Sequence, residues 1–205
     1  MLKSILYDWN GANASLFHVI NDWRGTILDG VMLSGTYLGS YNLLPVCLIL
    51  FFVIRRVNAS SPFNDPKWSI TAMILGGAGL IDMAFLFLAK RIFDFPRPPL
   101  ALPEGLVHVV GQKELHHSLP SGHSSFAMLL AACLWPMLGF WQKGLAVLYV
   151  LWIGLSRINV GAHFPSDVLA GWLTVLPIVF MVRYATRHWF KDQVQAFLEK
   201  PRVEG

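Results

Sequence analysis

The stretch HHSLPSGHSSFAMLLAACLWPMLGF, residues 116–140, is mainly polar in its first third and mainly apolar after it. It begins as a cluster of histidine and hydroxyl side chains and continues as an apolar run that could form a membrane-crossing helix. Polar groups are costly to dehydrate, so Pro120-Ser121-Gly122-His123 at the start of that helix indicates that something polar meets the chain there. The stretch therefore predicts a membrane helix that begins in a polar site.

The composition also indicates an integral membrane protein. Of 205 residues, 55% are hydrophobic and 14% are charged, whereas a soluble domain is about 45–50% apolar and about 25% charged. The net charge of +4 would suit nucleic acid, but the basic residues lie between apolar runs and not in one stripe. Cys47 and Cys133 lie inside apolar runs without zinc-type spacing, so neither a disulfide scaffold nor a structural metal is indicated.

Five stretches are apolar and long enough to cross a bilayer, which needs about 20 helical residues. They are residues 27–54, 69–90, 122–140, 144–160 and 165–184. Residues 4–23 mix Leu, Phe and Trp with Asp and Asn, which predicts an amphipathic helix in the interface, with a sixth crossing as the alternative. The predicted fold is an all-α integral membrane protein, a compact bundle of five or six transmembrane helices with an N-terminal interfacial helix.

We expect one domain over residues 1–205, made of the interfacial helix 1–25, the bundle 26–184 and a cytoplasmic tail 185–205. Basic residues flank the spans on one side: Arg55, Arg56, Lys67, Lys143, Arg183, Arg187 and Lys191. The positive-inside rule assigns this side to the cytoplasm. The polar connections 91–121 and 157–164 then face the periplasm or the exterior of a multi-pass protein in the cell inner (plasma) membrane.

Asp82 is an acid within the second predicted span. Such a residue is expensive in a membrane and usually faces a polar interior. It either has a structural hydrogen-bonding role or belongs to the network of the active site.

The block KRIFDFPRPP, residues 90–99, supplies two cations, Lys90 and Arg97. The prolines around Arg97 prevent helix continuation and favour an extended backbone there. The two cations are either interfacial anchors that reach to the lipid headgroups or a clamp for phosphate.

In the second block, Ser121 is a candidate N-cap, and the helix N-terminus after it would bind an anion. Gly122 lets the backbone approach a ligand, and His123 would lie in the first turn beside that anion. His116 and His117 either contact a second phosphate or are solvated loop residues.

The third block is SRINVGAHFPSD, residues 156–167. Pro165 suits the first turn of the last helix, which places His163 just before that helix and Asp167 inside its first turn. Asp167 can then contact one ring nitrogen of His163 and leave the other nitrogen free as a nucleophile or base. Arg157 adds a third cation. Because the predicted topology brings all three blocks to one membrane face, they predict a site for a multiply charged oxyanion, stabilised by cations and without a carboxylate cluster for Mg²⁺.

The three blocks resemble the tripartite signature of the type 2 phosphatidic acid phosphatase (PAP2) superfamily: K-x6-RP, PSGH and SR-x5-H-x3-D. Here these are Lys90…Arg97-Pro98, Pro120-Ser121-Gly122-His123 and Ser156-Arg157…His163…Asp167, in the same order and spacing. The resemblance implies that His163 attacks phosphorus, that Asp167 orients it and that His123 acts as the general acid. It also implies that Lys90, Arg97, Arg157, Ser121 and the Gly122 amide hold the phosphoryl oxygens and that no metal or other cofactor is needed.

The resemblance further implies a lipid phosphatase whose partners are the bilayer and a lipid phosphate or diphosphate, with undecaprenyl diphosphate favoured. Phosphatidylglycerophosphate, phosphatidate and lipid A 1-phosphate are the competing substrates. A phosphotransferase that uses the same site residues, and a lipid-binding or transport protein without catalysis, are the alternative functions.

Overall fold

The computed structural model describes residues 7–57 and 66–198, and within them it is all-helical and has no strand. A short 3₁₀ turn, Trp9–Gly11, comes first, and another, Trp135–Met137, follows the sixth α-helix. The α-helices are α1 (Ala12–Asn21), α2 (Thr26–Leu38), α3 (Leu43–Val57), α4 (Pro66–Phe93), α5 (Pro98–Ala101), α6 (Gly122–Leu134), α7 (Phe140–Asn159) and α8 (Pro165–Leu198).

Two segments of the described chain are long and apolar enough to cross a membrane alone, Trp68–Ala101 and Pro165–Trp189. A third candidate is a bent pair, Thr26–Leu38 with Leu43–Leu50, whose axes differ by 66°. The predicted span 27–54 is thus broken at residues 39–42. Two or three of the five predicted spans are confirmed as candidates by length and composition, and the full count stays a prediction.

Helix α6, predicted as part of a span over 122–140, lies at the centre of the bundle. It has 13 residues and is therefore about 20 Å long, shorter than a hydrocarbon core of about 30 Å. Its Phe126 and Leu129 are buried in a cluster with Ile74 of α4 and Val175 of α8. Neighbouring Ala127 packs on the other side against α7. Because α6 contacts protein on several sides, its residues from Phe126 to Leu134 are all apolar.

The start of α6 packs tightly against α8 at Gly171. A Cβ atom at Gly171 would lie 2.5 Å from the carbonyl oxygen of Ser121. The Ser121 amide also donates to the carbonyl oxygen of Asp167 over 2.9 Å. The lack of a side chain at Gly171 thus lets the second signature block approach the third.

The N-terminal segment packs against the protein through its polar as well as its apolar face. Phe17 of α1 is fully buried in a cluster with Ile158 and Phe164, and Asn13 and Asn21 are buried too. With ten residues, α1 is about 15 Å long, about half of a hydrocarbon core, and the alternative sixth crossing by residues 4–23 stays a prediction. The predicted location of α1 in the membrane interface stays a prediction, and residues 4–6 of the predicted helix lie outside the described residues.

The predicted cytoplasmic tail, residues 185–205, continues as helix to Leu198. Residues 199–205 lie outside the described residues, as do four of the basic side chains that flank the predicted spans: Arg55, Arg56, Lys67 and Lys191.

Candidate active site

A cavity of about 270 Å³ brings the three signature blocks together. Six predicted site residues line it, together with three residues that the sequence analysis did not single out, Ser40, Tyr41 and Glu114. The six predicted residues are Lys90, Arg97, Gly122, His123, Arg157 and His163.

Arg97 is fixed by several partners although its side chain belongs to an irregular segment. It has the extended backbone that the flanking prolines predict, with φ −79° and ψ 163°. Its Nε donates to the carbonyl oxygen of His116 over 2.9 Å, and its Nη1 donates to that of Ala162 over 3.2 Å. The same Nη1 lies 2.6 Å from Oε2 of Glu114 and 3.3 Å from Nε2 of His163. The guanidinium therefore reaches the atom that would attack phosphorus.

Lys90, at the end of α4, donates from Nζ to the carbonyl oxygen of His117 over 3.0 Å. The imidazoles of His116 and His117 are exposed and do not line the cavity. Nδ1 of His117 instead lies 2.9 Å from Oδ1 of Asp94. The carbonyl groups of these two residues, not their rings, face the cations. The choice between contact with a second phosphate and a solvated loop stays a prediction.

Arg157, at the end of α7, is 6% exposed, and its Nη1 donates to Oγ1 of Thr36 over 2.8 Å. Its carbonyl oxygen accepts from the amides of Ala162 and His163, which folds the loop back toward α7. Its Nε has no hydrogen-bond partner among the described residues. A buried, unpaired cationic donor in the cavity wall is suited to a phosphoryl oxygen.

Ser121 occupies the N-cap position of α6, as predicted, but its side chain does not cap the helix. Its hydroxyl accepts a hydrogen bond from Ser124 over 3.0 Å. Ser121 is fully buried and does not line the cavity. Gly122 and His123 do line it, so the second block reaches the cavity through the first turn of α6 and not through the serine hydroxyl.

His163 is 1% exposed, and its Nδ1 lies 3.5 Å from Oδ2 of Asp167. This separation is longer than a hydrogen bond, although it has the i, i+4 geometry expected from the sequence. Burial holds the pKa of His163 well below its ordinary value, and the nearby cations Arg97 and Arg157 act in the same direction. The imidazole is therefore neutral, with a lone pair available on Nε2.

Asp167 is fully buried, and its carboxylate is held by groups that the sequence analysis did not identify. Oδ2 accepts from Oγ of Ser118 over 2.6 Å and from the amide of Phe164 over 2.8 Å. Oδ1 accepts from the hydroxyl of Tyr7 over 3.0 Å. Ser118 lies close to the PSGH block, so its position was a usable signal, whereas Tyr7 is 160 residues away from Asp167 along the chain.

The sequence left two alternatives for Asp82, a structural hydrogen-bonding role and a place in the network of the active site, and the structure has features of both. Its carboxylate is fully buried and accepts hydrogen bonds at Oδ2 from Ser125, over 2.6 Å, and from the hydroxyl of Tyr41. These contacts join α4 to α6 and to the break between α2 and α3. Because Tyr41 also lines the cavity, the structural network extends to the wall of the site.

The chemistry available in the cavity is that of anion binding and stepwise group transfer. Three cations surround a neutral histidine that has a carboxylate behind it, and His123 provides a second imidazole. In the part of the chain that the structure describes, no three His, Cys, Asp or Glu side chains are grouped in a way that could hold a metal ion.

Comparisons with known proteins agree with this geometry. The family profile of the PAP2 superfamily matches residues 70–193. An undecaprenyl-diphosphatase of Sulfolobus acidocaldarius is 29% identical over 80% of this chain and 73% of its own length. Phosphatidylglycerophosphatase B of Bacillus subtilis is 28% identical over 87% of this chain and 80% of its own.

The crystal structure of LpxE from Aquifex aeolicus covers 83% of this chain and 94% of its own, with a TM-score of 0.71 and 28% identity. The relatives from Sulfolobus and Bacillus are named as phosphatases, which confirms the predicted enzyme class, a lipid phosphatase. Since the profile match covers more than half of the chain and includes all three blocks of the cavity, the chain belongs to the PAP2 superfamily.

Proposed function

We propose that the chain is a lipid phosphatase that removes the terminal phosphoryl group of a lipid phosphate or diphosphate at the outer membrane face. The observation that carries the proposal is the contact between the neutral His163 and the guanidinium of Arg97, with Nε2 and Nη1 3.3 Å apart. A nucleophile and an anion-binding donor then meet at one point of the cavity.

In the proposed reaction, Nε2 of His163 attacks phosphorus while the bond from phosphorus to the leaving oxygen breaks. His123 gives its proton to that oxygen, so that the lipid product leaves as a neutral alcohol or a protonated phosphate. The imidazole of His163 then carries the phosphoryl group and a positive charge, which the carboxylate of Asp167 balances. His123 next takes a proton from water as the water oxygen attacks phosphorus. The bond from phosphorus to Nε2 breaks, its electron pair returns to the imidazole of His163, and inorganic phosphate is released.

Lys90, Arg97 and Arg157 would stabilise the charge on the phosphoryl oxygens during both steps. The Nε of Arg157 has no partner among the described residues, and the Nη1 of Arg97 becomes available to a phosphoryl oxygen when Glu114 turns away from it. The Gly122 amide, at the N-terminus of α6, adds a positive dipole end. The amide of Ser121 already donates to the carbonyl oxygen of Asp167, and Ser121 does not line the cavity, so it would contribute by fixing the start of α6.

An apolar groove supports a substrate with a hydrocarbon tail that enters from the side, between helices. It has a volume of about 390 Å³ and includes Leu44, Leu48, Leu80 and Met83 from α3 and α4. Tyr41 lines both this groove and the cavity, so the two are adjacent. We favour undecaprenyl diphosphate as the substrate because a relative named undecaprenyl-diphosphatase aligns over 80% of the chain.

The orientation with the site outside is supported by the described cations. Lys143 lies on α7 about 21 Å before Arg157, and Arg183 lies on α8 about 24 Å after Asp167, at 1.5 Å per helical residue. Lys143 therefore lies near the end of α7 that is far from the cavity, and Arg183 lies near the far end of the predicted span 165–184, where the positive-inside rule would assign the cytoplasm.

The experiment measures phosphate release by the purified protein in detergent with EDTA, on undecaprenyl diphosphate, phosphatidylglycerophosphate, phosphatidate and lipid A 1-phosphate. We expect release from at least one lipid, with undecaprenyl diphosphate the fastest, and loss of release in His163→Ala. The matched control is His188→Ala, an exposed histidine far along α8.

A phosphotransferase would instead move labelled phosphate to an added acceptor lipid, and a binding protein would do neither. Retention of full activity in His163→Ala would contradict the proposed chemistry.

A further inference from the structure

The N-terminal segment, residues 7–23, forms hydrogen bonds at both ends of the loop that carries His163, residues 160–164 between α7 and α8. At the later end, Nδ2 of Asn13 donates to Oγ of Ser166 over 2.8 Å, and the Ser166 amide donates to Oδ1 of Asn13 over 3.0 Å. This reciprocal pair fixes the first turn of α8, where Asp167 follows Ser166. All four atoms belong to buried residues, so the pair is protected from water.

At the earlier end of that loop, Asn159 and Asn21 join the segment to the end of α7. Nδ2 of Asn159 donates to the carbonyl oxygen of Ile20 over 2.9 Å, and Nδ2 of Asn21 donates to that of Asn159 over 2.8 Å. Asn21 also exchanges hydrogen bonds with the backbone of His108. The two asparagines thus tie together α1, the end of α7 and the long connection before α6.

Tyr7 extends this bracing to a charged group of the site. Its hydroxyl donates to Oδ1 of Asp167 over 3.0 Å, and its ring packs against Phe95 with centroids 4.4 Å apart. Burial raises the pKa of Tyr7, and the Asp167 carboxylate raises it further. The hydroxyl therefore stays protonated and can act only as a donor toward that carboxylate.

The hydrogen bond from Tyr7 holds one carboxylate oxygen of Asp167, Oδ1, while the other oxygen is engaged elsewhere. Oδ2, which faces Nδ1 of His163, already accepts from Ser118 and from the Phe164 amide. The donor at Oδ1 fixes the rotation of the carboxylate and favours its ionised form. An ionised carboxylate leaves the proton on Nδ1 of His163, so that Nε2 keeps its lone pair.

We propose that Tyr7 is a positioning residue, which acts through Asp167 on the nucleophile His163. The inference rests on the proposed function and adds to it a part of the chain that precedes the family match at residues 70–193. Tyr7 does not line the cavity and exchanges no proton with substrate. It keeps the carboxylate aligned and anionic as positive charge develops on the imidazole.

The test replaces Tyr7 by phenylalanine, which keeps the ring packing and removes the hydroxyl. In metal sites, loss of an outer-shell hydrogen bond that orients a ligating histidine costs about 10- to 100-fold in affinity or activity, and the bond from Tyr7 acts on His163 in the same indirect way. We expect kcat in Tyr7→Phe to fall about tenfold, with KM within about twofold of the wild type. The acid limb of the kcat profile should move to higher pH, because the carboxylate becomes more basic. Tyr37→Phe, at a tyrosine that is 68% exposed, is the matched control.

Two further measurements separate positioning from folding. Tyr7→Phe leaves a buried carboxylate oxygen without its donor and should lower the unfolding midpoint in detergent, but the protein should stay folded at the assay temperature. Asn13→Ala should lower the midpoint at least as much, because it removes both hydrogen bonds with Ser166. Orthovanadate, which can adopt the five-coordinate geometry of the phosphorus being attacked, serves as a probe of the site that is not turned over. Its affinity should fall about tenfold in Tyr7→Phe, in parallel with kcat.

An unchanged kcat in Tyr7→Phe would overturn the inference, as would a loss of activity that only follows the loss of folded protein with the pH profile unmoved. Failure of the proposed function has a different signature, in which the wild type releases phosphate from none of the lipids. If vanadate affinity still depended on Tyr7 in that case, the positioning inference would stand without the proposed function.

Discussion

Oε2 of Glu114 lies 2.6 Å from Nη1 of Arg97, inside the cavity that would hold the phosphoryl group. Arg97 is nearly buried, whereas the Glu114 side chain is 49% exposed and can turn outward. A carboxylate and a phosphate compete for the same guanidinium, so a bound phosphate has to displace Glu114.

We therefore expect Glu114→Gln to bind inorganic phosphate and vanadate more tightly. A partly exposed ion pair has a modest net energy, so the inhibition constants should fall about three- to tenfold. Inhibition of hydrolysis at several phosphate concentrations measures the effect. Glu104→Gln, at an exposed acid of the same connection that does not line the cavity, should leave the constants unchanged. Weaker phosphate binding in Glu114→Gln would show that Glu114 assists binding and does not compete with it.

The close approach of Gly171 to Ser121 predicts that a single methyl group disturbs the site. In Gly171→Ala the new Cβ would lie 2.5 Å from a backbone oxygen of the second block, so α6 or α8 must shift. Overpacking of this kind costs about 1–3 kcal/mol of stability. We expect a lower unfolding midpoint together with a loss of kcat, measured by thermal unfolding and phosphate release. Gly144→Ala, which meets nothing within 4 Å, is the control; equal behaviour of the two variants would refute the packing argument.

The network around Asp82 should contribute more to stability than to chemistry. In Asp82→Ala, the hydroxyls of Tyr41 and Ser125 lose their acceptor in a buried setting. Each unsatisfied buried group costs about 1–3 kcal/mol. We expect a clear fall in the unfolding midpoint, while the remaining folded protein keeps KM within about twofold because Asp82 does not line the cavity. A large rise in KM without destabilisation would assign Asp82 to substrate binding instead.

Stability should also depend on pH through His163. Its pKa in the folded protein is well below the unfolded value of about 6.5, so the unfolded chain binds the extra proton first. The contribution of the neutral imidazole is fully present above about pH 6.5 and is lost as the pH falls below it, by up to about 1.4 kcal/mol per pH unit. Unfolding midpoints between pH 7 and pH 5 should thus fall less steeply in His163→Gln than in wild type or His188→Gln. Equal slopes in all three would mean that His163 titrates normally in the folded state.

Much of the site could be predicted because its residues lie in short blocks of fixed spacing. The prolines around Arg97 predicted its extended backbone, and the i, i+4 spacing of His163 and Asp167 predicted their proximity. The ligands of Asp167 were harder to find, because Tyr7 reaches it through tertiary packing and no local pattern encodes that contact. Glu114 is one of several charged residues in the connection 91–121, and no local pattern indicates its contact with Arg97.

The sequence predicted the fold class, an all-α membrane protein. It did not predict where the helices break, because hydropathy averaged over a long apolar stretch does not show the few residues that interrupt a helix. Residues 27–54 are apolar throughout, yet Gly39 and the polar residues after it separate two helices that differ in direction by 66°. The span predicted to end at residue 140 is divided near Pro136, where a 3₁₀ turn replaces α6. The Asp and Asn residues among the apolar residues of 4–23 predicted a helix in the membrane interface, which stays a prediction. Nothing in that pattern indicated that Asn13 and Asn21 bond to the protein itself.

The central claim is that the imidazole of His163 carries the phosphoryl group during turnover. It is tested most directly by mixing the protein with a lipid substrate labelled with ³²P in the terminal phosphate, followed by rapid denaturation and mapping of the label. We predict an acid-labile, base-stable label on the peptide that contains His163, present in wild type and absent from His163→Gln. Efficient phosphate release with no label on that peptide, or a label that persists in His163→Gln, would contradict the account.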